Sequence, residues 1–145
     1  MSAGVPVHRH RVRYHEVDAQ GILYNSRYWE IVDAAMTEFF RELGWTYPEL
    51  NRDGMDPSLI QSSARFLRPA GLDDEIDVAV ALTHLGTTSF ALDFDLRSAS
   101  EGTPIAELGI VYVNFDPTTR QKRPIPDQVR ERLEAAVDTI TERVL

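Results

Sequence analysis

The chain has 145 residues, a formal charge of −8 and no cysteine. Its length fits one domain, residues 1–145, able to bury roughly 68% of the surface of its unfolded chain without disulfide staples. With 43% hydrophobic and 26% charged residues it is neither disordered nor fibrous in composition, and the missing cysteines exclude a cysteine nucleophile and thiolate zinc sites.

From Val7 to Val17 the residues alternate, with Arg9, Arg11 and Arg13 on one face and His10, Val12 and Tyr14 on the other. This pattern predicts a half-exposed strand. Asp18-Ala19-Gln20-Gly21 ends it with turn-forming residues. From Tyr28 the period changes. Tyr28, Val32, Ala35, Met36, Phe39, Phe40 and Leu43 recur at three- and four-residue spacing, and Ile31 and Ala34 widen the apolar face. That is a buried helix, with Gly44 as its stop.

Trp45 to Pro57 carries turn signals and reads as a loop. Leu59 to Phe66 is a weakly alternating strand. Ile76, Val78, Val80, Leu82 and His84 form one face of the next strand, and Phe90, Leu92, Phe94 and Leu96 one face of the strand after it. Ser98 to Thr103 is a hairpin turn. Ile105 to Phe115 is apolar on both parities, which predicts a strand covered on two sides. A last helix runs from about Pro126 to Val144, with Val129, Leu133, Ala136, Val137, Ile140 and Val144 apolar. The strands from Leu59 to Phe115 are joined by short connections, so an antiparallel meander is expected. The fold class is α+β: a curved antiparallel sheet of five or six strands wrapped around one long helix, plus a C-terminal helix.

The longest apolar runs, such as Val78-Ala79-Val80-Ala81-Leu82, are far shorter than the roughly 20 residues of a membrane span. Met1 to Arg9 has no apolar core of a secretory leader, and a cytoplasmic location is expected. The acidic balance disfavours nucleic acid and anionic membrane surfaces as partners. Neither a Gly-x-Ser-x-Gly elbow nor a phosphate-binding glycine loop occurs. His8 and His10 share a strand face but have no third ligand at matching spacing, so no metal site is expected.

One stretch concentrates chemistry: Tyr14-His15-Glu16-Val17-Asp18-Ala19-Gln20-Gly21-Ile22-Leu23-Tyr24-Asn25-Ser26-Arg27-Tyr28. It places the Asp18 carboxylate at a strand end, just before the start of the buried helix. A helix start offers unpaired backbone N–H groups and a positive dipole end, which can bind a developing oxyanion. Asp18 then supplies a general base or a nucleophile. A second reading stays open on the residues alone. In it Asp18 only shapes an Asx-turn, and Asn25 or Ser26 caps the helix.

This stretch resembles the hotdog-fold acyl-CoA thioesterases of the 4-hydroxybenzoyl-CoA thioesterase type, which include the thioesterase found with the Tol-Pal cluster. Their pattern of Asp-x-x-Gly, two apolar residues, an aromatic step and a Tyr at the helix start reads here Asp18, Gly21, Ile22, Leu23, Tyr24 and Tyr28. Arg65-Phe66-Leu67-Arg68-Pro69-Ala70, Gly86-Thr87-Thr88-Ser89-Phe90 and the segment from Asp116 to Pro126 follow in the family's order.

The resemblance implies an acyl-CoA thioesterase acting on a small or medium acyl or aryl thioester, without a resident cofactor, CoA being part of the substrate. The carrier could equally be an acyl carrier protein. It implies that Asp18 is the catalytic carboxylate, and that the amide polarising the carbonyl lies at Asn25, with Tyr24 and Ser26 beside it. Gly21 and Tyr28 complete that segment. It further implies a homodimer, paired into a tetramer, in which Ser62, Ser63 and Ala64 reach the acyl group from the partner chain. The CoA nucleotide would lie near Arg68, Thr87, Thr88 and Ser89. Two positions depart from the family: Asn25 stands where many relatives have His, and Arg27 where they have Asn. Two other activities fit the same fold, an enoyl-thioester hydratase or dehydratase and a non-catalytic acyl-CoA binding protein. The aromatic cluster Phe39, Phe40, Trp45 and Tyr47 reads as core packing or as an aryl pocket.

Overall fold

A computed structural model of the chain describes residues 5–144, with side chains over residues 6–137. In chain order the elements are β1 (Val5–Arg11), a 3-10 turn (Tyr14–Glu16), α1 (Arg27–Leu43), α2 (Tyr47–Arg52), β2 (Pro57–Phe66), β3 (Glu75–Leu85), β4 (Ser89–Ser98), β5 (Pro104–Asp116), a short β6 (Gln121–Lys122) and α3 (Asp127–Val144). The sheet is antiparallel, in the order β1-β3-β4-β5-β2, with β6 paired to β5. This is the α+β hotdog architecture: a curved sheet with the long helix α1 on its inner face.

The helix is there because its sequence is apolar over more than one stripe. Tyr28, Ile31, Val32, Ala35, Met36, Phe39 and Phe40 are all buried. They meet the inward residues of the sheet, Ile76, Val78 and Val80 on β3, Phe90, Leu92, Phe94 and Leu96 on β4, and Leu108, Ile110 and Tyr112 on β5. Phe40 meets both Phe39 and Phe90 edge-on, with ring centroids 5.6 and 5.8 Å away. The helix ends at Gly44, whose φ of 112° lets its amide close on Arg41 O. The cluster Phe39, Phe40 and Trp45 therefore belongs to the core, while Tyr47 is exposed and donates its hydroxyl to Asp56 Oδ1 at 2.6 Å.

Several local expectations are corrected. The first strand stops at Arg11, because the Glu16 carboxylate takes the Arg13 amide and folds the chain into a 3-10 turn. Tyr14, grouped by the alternation with His10 and Val12 on one strand face, therefore lies beyond the strand and is 84% exposed. The loop from Trp45 to Pro57 contains α2, started by a capping box in which Thr46 and Glu49 exchange side-chain and backbone bonds. On β3 a register shift between Leu82 and His84 turns His84 outward. β5 alternates over its middle and is buried on both faces at Ile105–Ala106 and again at Tyr112 to Asn114. The last helix starts at Asp127, with Val129 and Leu133 fully buried. The side chains of Ile140 and Val144 lie outside the described residues, as does the chain before Val5.

One topological expectation also changes. β2 pairs with β5, not with β3, so it is the far edge of the sheet. The segment between them, residues 67–74, therefore crosses the end of the sheet as a strap. Leu67 and Arg68 amides bond Ile105 O, and Asp73 N and Val12 N exchange bonds with Val12 O and Asp74 O. β2 carries almost no buried residue, and Leu59, Ile60 and Phe66 on it are exposed.

Replacing Phe40, 1% exposed, by alanine is expected to cost about 3–5 kcal/mol. Urea unfolding checks this. A loss below about 1 kcal/mol would mean that α1 is not packed into the sheet as described.

Candidate active site

The two stems of the turn that carries Asp18 are zipped together. Val17 bridges Leu23, and Asp18 N donates to Ile22 O at 2.9 Å. Within the turn Gly21 N donates to Asp18 O, and Gln20 N donates to Asp18 Oδ1 at 2.8 Å. The Asx-turn reading is thus correct for one carboxylate oxygen. The other, Oδ2, makes no bond among the described residues. Gly21 has φ 77°, a left-handed conformation that a Cβ makes costly, although open space surrounds it.

The strap holds the other side of this turn. Leu23 N donates to Ala70 O at 2.8 Å, and Ile22 bridges Gly71. Strap and turn together enclose a cavity of about 360 Å³, lined by Asp18, Ile22, Asn25, Tyr28, Phe66 and Arg68 among others. Its wall is aromatic where Tyr28 and Phe66 meet edge-on at 5.1 Å. Burial raises the Tyr28 phenol above its ordinary value of 10, so it stays neutral.

The regular helix begins at Arg27. Ser26 stands at the cap position without a side-chain cap bond. The amides that precede the helix are not equivalent. Tyr24 N donates to Glu16 O at 2.9 Å and is not free to bind a ligand. Arg27 N and Tyr28 N turn back on Tyr24 O and Asn25 O. The Asn25 and Ser26 amides make no hydrogen bond among the described residues. They leave two donors at the positive end of α1, with Asn25 lining the same cavity as Asp18.

The remaining expected site residues divide in two. Arg68 lines both the Asp18 cavity and a neighbouring one of about 430 Å³. Ser62 and Ser63 lie on β2 opposite Ile110 and Gly109, outside the Asp18 cavity. Thr87, Thr88 and Ser89 lie beyond the far end of β3, whose length from Glu75 to Leu85 separates them from the strap by about 33 Å. None of these five residues lines the Asp18 cavity of its own chain.

Sequence reasoning passed over Glu16. It is 7% exposed, and its Oε1 accepts from Arg13 N at 2.7 Å and from His10 Nε2 at 2.9 Å. A capping-box spacing from Arg13 to Glu16 exists, but the usual serine or threonine is missing, so the signal was weak. His10 is thereby engaged with a carboxylate, and no cluster of three metal-ligating side chains occurs among the described residues. No helix among them is long and apolar enough to cross a membrane.

Comparison with known proteins gives concordant results. The model of the thioesterase-like superfamily matches residues 12–133. An acyl-CoA thioester hydrolase, YbgC, of Escherichia coli is 25% identical over 82% of this chain and 88% of its own. A 1,4-dihydroxy-2-naphthoyl-CoA hydrolase of Synechococcus elongatus is 22% identical over 88% and 93%. The solved structure of BH1999, a gentisyl-coenzyme A thioesterase, superposes with a TM-score of 0.79 at 25% identity, covering 88% of this chain and 99% of that one.

The buried Glu16 gives stability a pH dependence. Burial alone would raise its pKa, but the Arg13 amide and the His10 ring hold it below the ordinary value of 4.5. A carboxylate whose folded value lies below its unfolded value contributes stability that is complete above about 4.5 and lost as pH falls through the folded value. Glu16→Gln should flatten that acid limb of the stability curve. Acid titration of the melting temperature checks it, and an unchanged slope would contradict the pairing.

Proposed function

Because the chain belongs to the thioesterase-like superfamily, we propose that it hydrolyses acyl-coenzyme A thioesters to a free acid and CoA. The observation that carries this reading is the cavity shared by Asp18 and Asn25 at the start of α1. A carboxylate with one uncommitted oxygen and two unpaired amides at a helix N-terminus are what acyl transfer requires.

In the mechanism proposed, the thioester carbonyl lies over the Asn25 and Ser26 amides. They take up the charge that grows on its oxygen. Asp18 either attacks the carbonyl carbon, forming a mixed anhydride that water then opens, or takes a proton from the water that attacks. In both routes the C–S bond breaks and CoA leaves as a thiolate. The bond from Gln20 N to Asp18 Oδ1 orients the carboxylate for either role. Asn25 replaces the His of many relatives and contributes chiefly through its backbone.

The site needs a second chain. β2 is an unpaired sheet edge with exposed Leu59, Ile60 and Phe66, and such an edge favours pairing with another strand. Ser62, Ser63, Thr87, Thr88 and Ser89 fall outside the Asp18 cavity of their own chain. We therefore read the protein as a homodimer, capable of pairing into a tetramer, whose partner brings these residues to the ligand. Arg68, on the cavity rim, is the residue placed to meet the CoA phosphates.

Thiol release measured over a panel of acyl-CoA esters tests the activity. Asp18→Asn is expected to lower kcat by about 10²–10⁴-fold, and a variant that keeps the full rate would remove Asp18 from the mechanism. Release of a hydrated or unsaturated thioester instead of free thiol would favour a hydratase. Arg68→Ala is expected to raise KM about tenfold, one charge-assisted contact, for acyl-CoA. The KM for the matching acyl-pantetheine thioester, which has no nucleotide, should stay unchanged.

A further inference from the structure

The bonds inside the Asp18 turn set its shape but not its place in the molecule. They run from Asp18 N to Ile22 O, from Gly21 N to Asp18 O and from Gln20 N to Asp18 Oδ1, all within five residues. Where the turn sits relative to the start of α1 is decided by the groups that hold its two stems. On the outgoing stem, Leu23 N is fixed to the strap at Ala70 O. On the incoming stem the chief holding group is Glu16, beside a longer bond from Arg27 Nη2 to His15 O at 3.4 Å.

Glu16 is bonded from both ends. Its carboxylate oxygen Oε1 takes the His10 ring on β1 and the Arg13 amide at the head of the 3-10 turn. Its carbonyl oxygen takes the Tyr24 amide, one residue before Asn25. The single residue therefore joins the sheet, the incoming stem and the segment that presents the Asn25 and Ser26 amides. Burying a carboxylate at 7% exposure is costly unless it is hydrogen-bonded, so these bonds hold the residue in one place. The mechanism above does not use it, since it lines no part of the Asp18 cavity.

We propose that Glu16 is the positioning residue of this site: clamped by His10 and the Arg13 amide, it sets the distance between the Asp18 carboxylate and the two free amides at the start of α1. The proposal rests on the hydrolase reading for its kinetic consequences, but not for its structural ones. A misplacement of the reacting groups by about 1 Å costs on the order of 10²-fold in rate. The loss should fall on kcat, because the aromatic wall and Arg68 that bind substrate stay in place.

The test compares Glu16→Leu, which removes the clamp, with Glu16→Gln, which keeps the Oε1 acceptor that takes both bonds. Glu16→Leu is expected to lower kcat about 10²-fold with KM unchanged, and Glu16→Gln to recover most of it. The double variant with Asp18→Asn should lose far less than the product of the two single losses, because Glu16 acts by setting Asp18 against the amides. Amide hydrogen exchange supplies a readout independent of activity. In Glu16→Leu the amides of Asp18, Gly21, Leu23 and Tyr24 should exchange about tenfold faster or more, while those of β3 and β4 keep their protection. Unchanged exchange over residues 18–24 overturns the proposal, as does loss of protection across the whole sheet without rescue by Gln. If the parent protein cleaves no thioester, the hydrolase reading falls, and the exchange pattern alone still decides the role of Glu16.

Discussion

Burial of α1 in the concave face of the sheet is the constraint on which the rest of this molecule depends. A helix apolar over so wide a face has to be covered, and the curved sheet covers it along most of its length. Its N-terminus is then left at one end of the sheet, where no strand satisfies the last free amides. Those amides are a by-product of enclosing the helix. They become useful because the chain brings a carboxylate beside them.

What brings it there is the crossing of the strap. Since β2 is the far edge and β3 lies next to β1, residues 67–74 have to pass across the sheet end. Their backbone groups would be left unpaired if nothing met them, and the Asp18 turn does: Leu23 with Ala70, and Ile22 with Gly71. The strap thus satisfies its own polar groups and builds one wall of the cavity, with Phe66 and Arg68 facing Asp18 and Tyr28 across it. Glu16 plays the matching part on the other stem. Fold and site are stabilised here by the same hydrogen bonds.

The opposite end of the sheet is closed differently. Asn114, fully buried, accepts from Asp56 N and Arg123 Nε and donates to Gly54 O and Pro124 O. This hub ties the chain after α2, β5 and the segment before α3 together, and the cavity of about 360 Å³ at this end is lined by Thr87, Ile125, Asp127 and Arg130 among others. Thr87 to Ser89 are attached to this end through Thr87 O and Thr88 O, and so have no part in the Asp18 cavity of their own chain.

The sequence by itself determined the helix, the inward faces of β3 and β4, the turn at Gly21 and the candidacy of Asp18. Each of these depends on local spacing: a 3.6-residue or two-residue period, or a short turn pattern, that is complete within its own segment. It also carried the family pattern from Asp18 to Tyr28, which the match over residues 12–133 supports. Only the tertiary structure decided that β2 is an edge, that His84 and Tyr14 point outward, which amides at the helix start are free, and that Glu16 is buried. Those outcomes depend on partners far along the chain: β5 for β2, the strap for Leu23 and β1 for Glu16. No period or motif within one segment encodes which distant backbone group will take its hydrogen bond, so the division between a structural turn and a reactive one could be read only once the chain had folded.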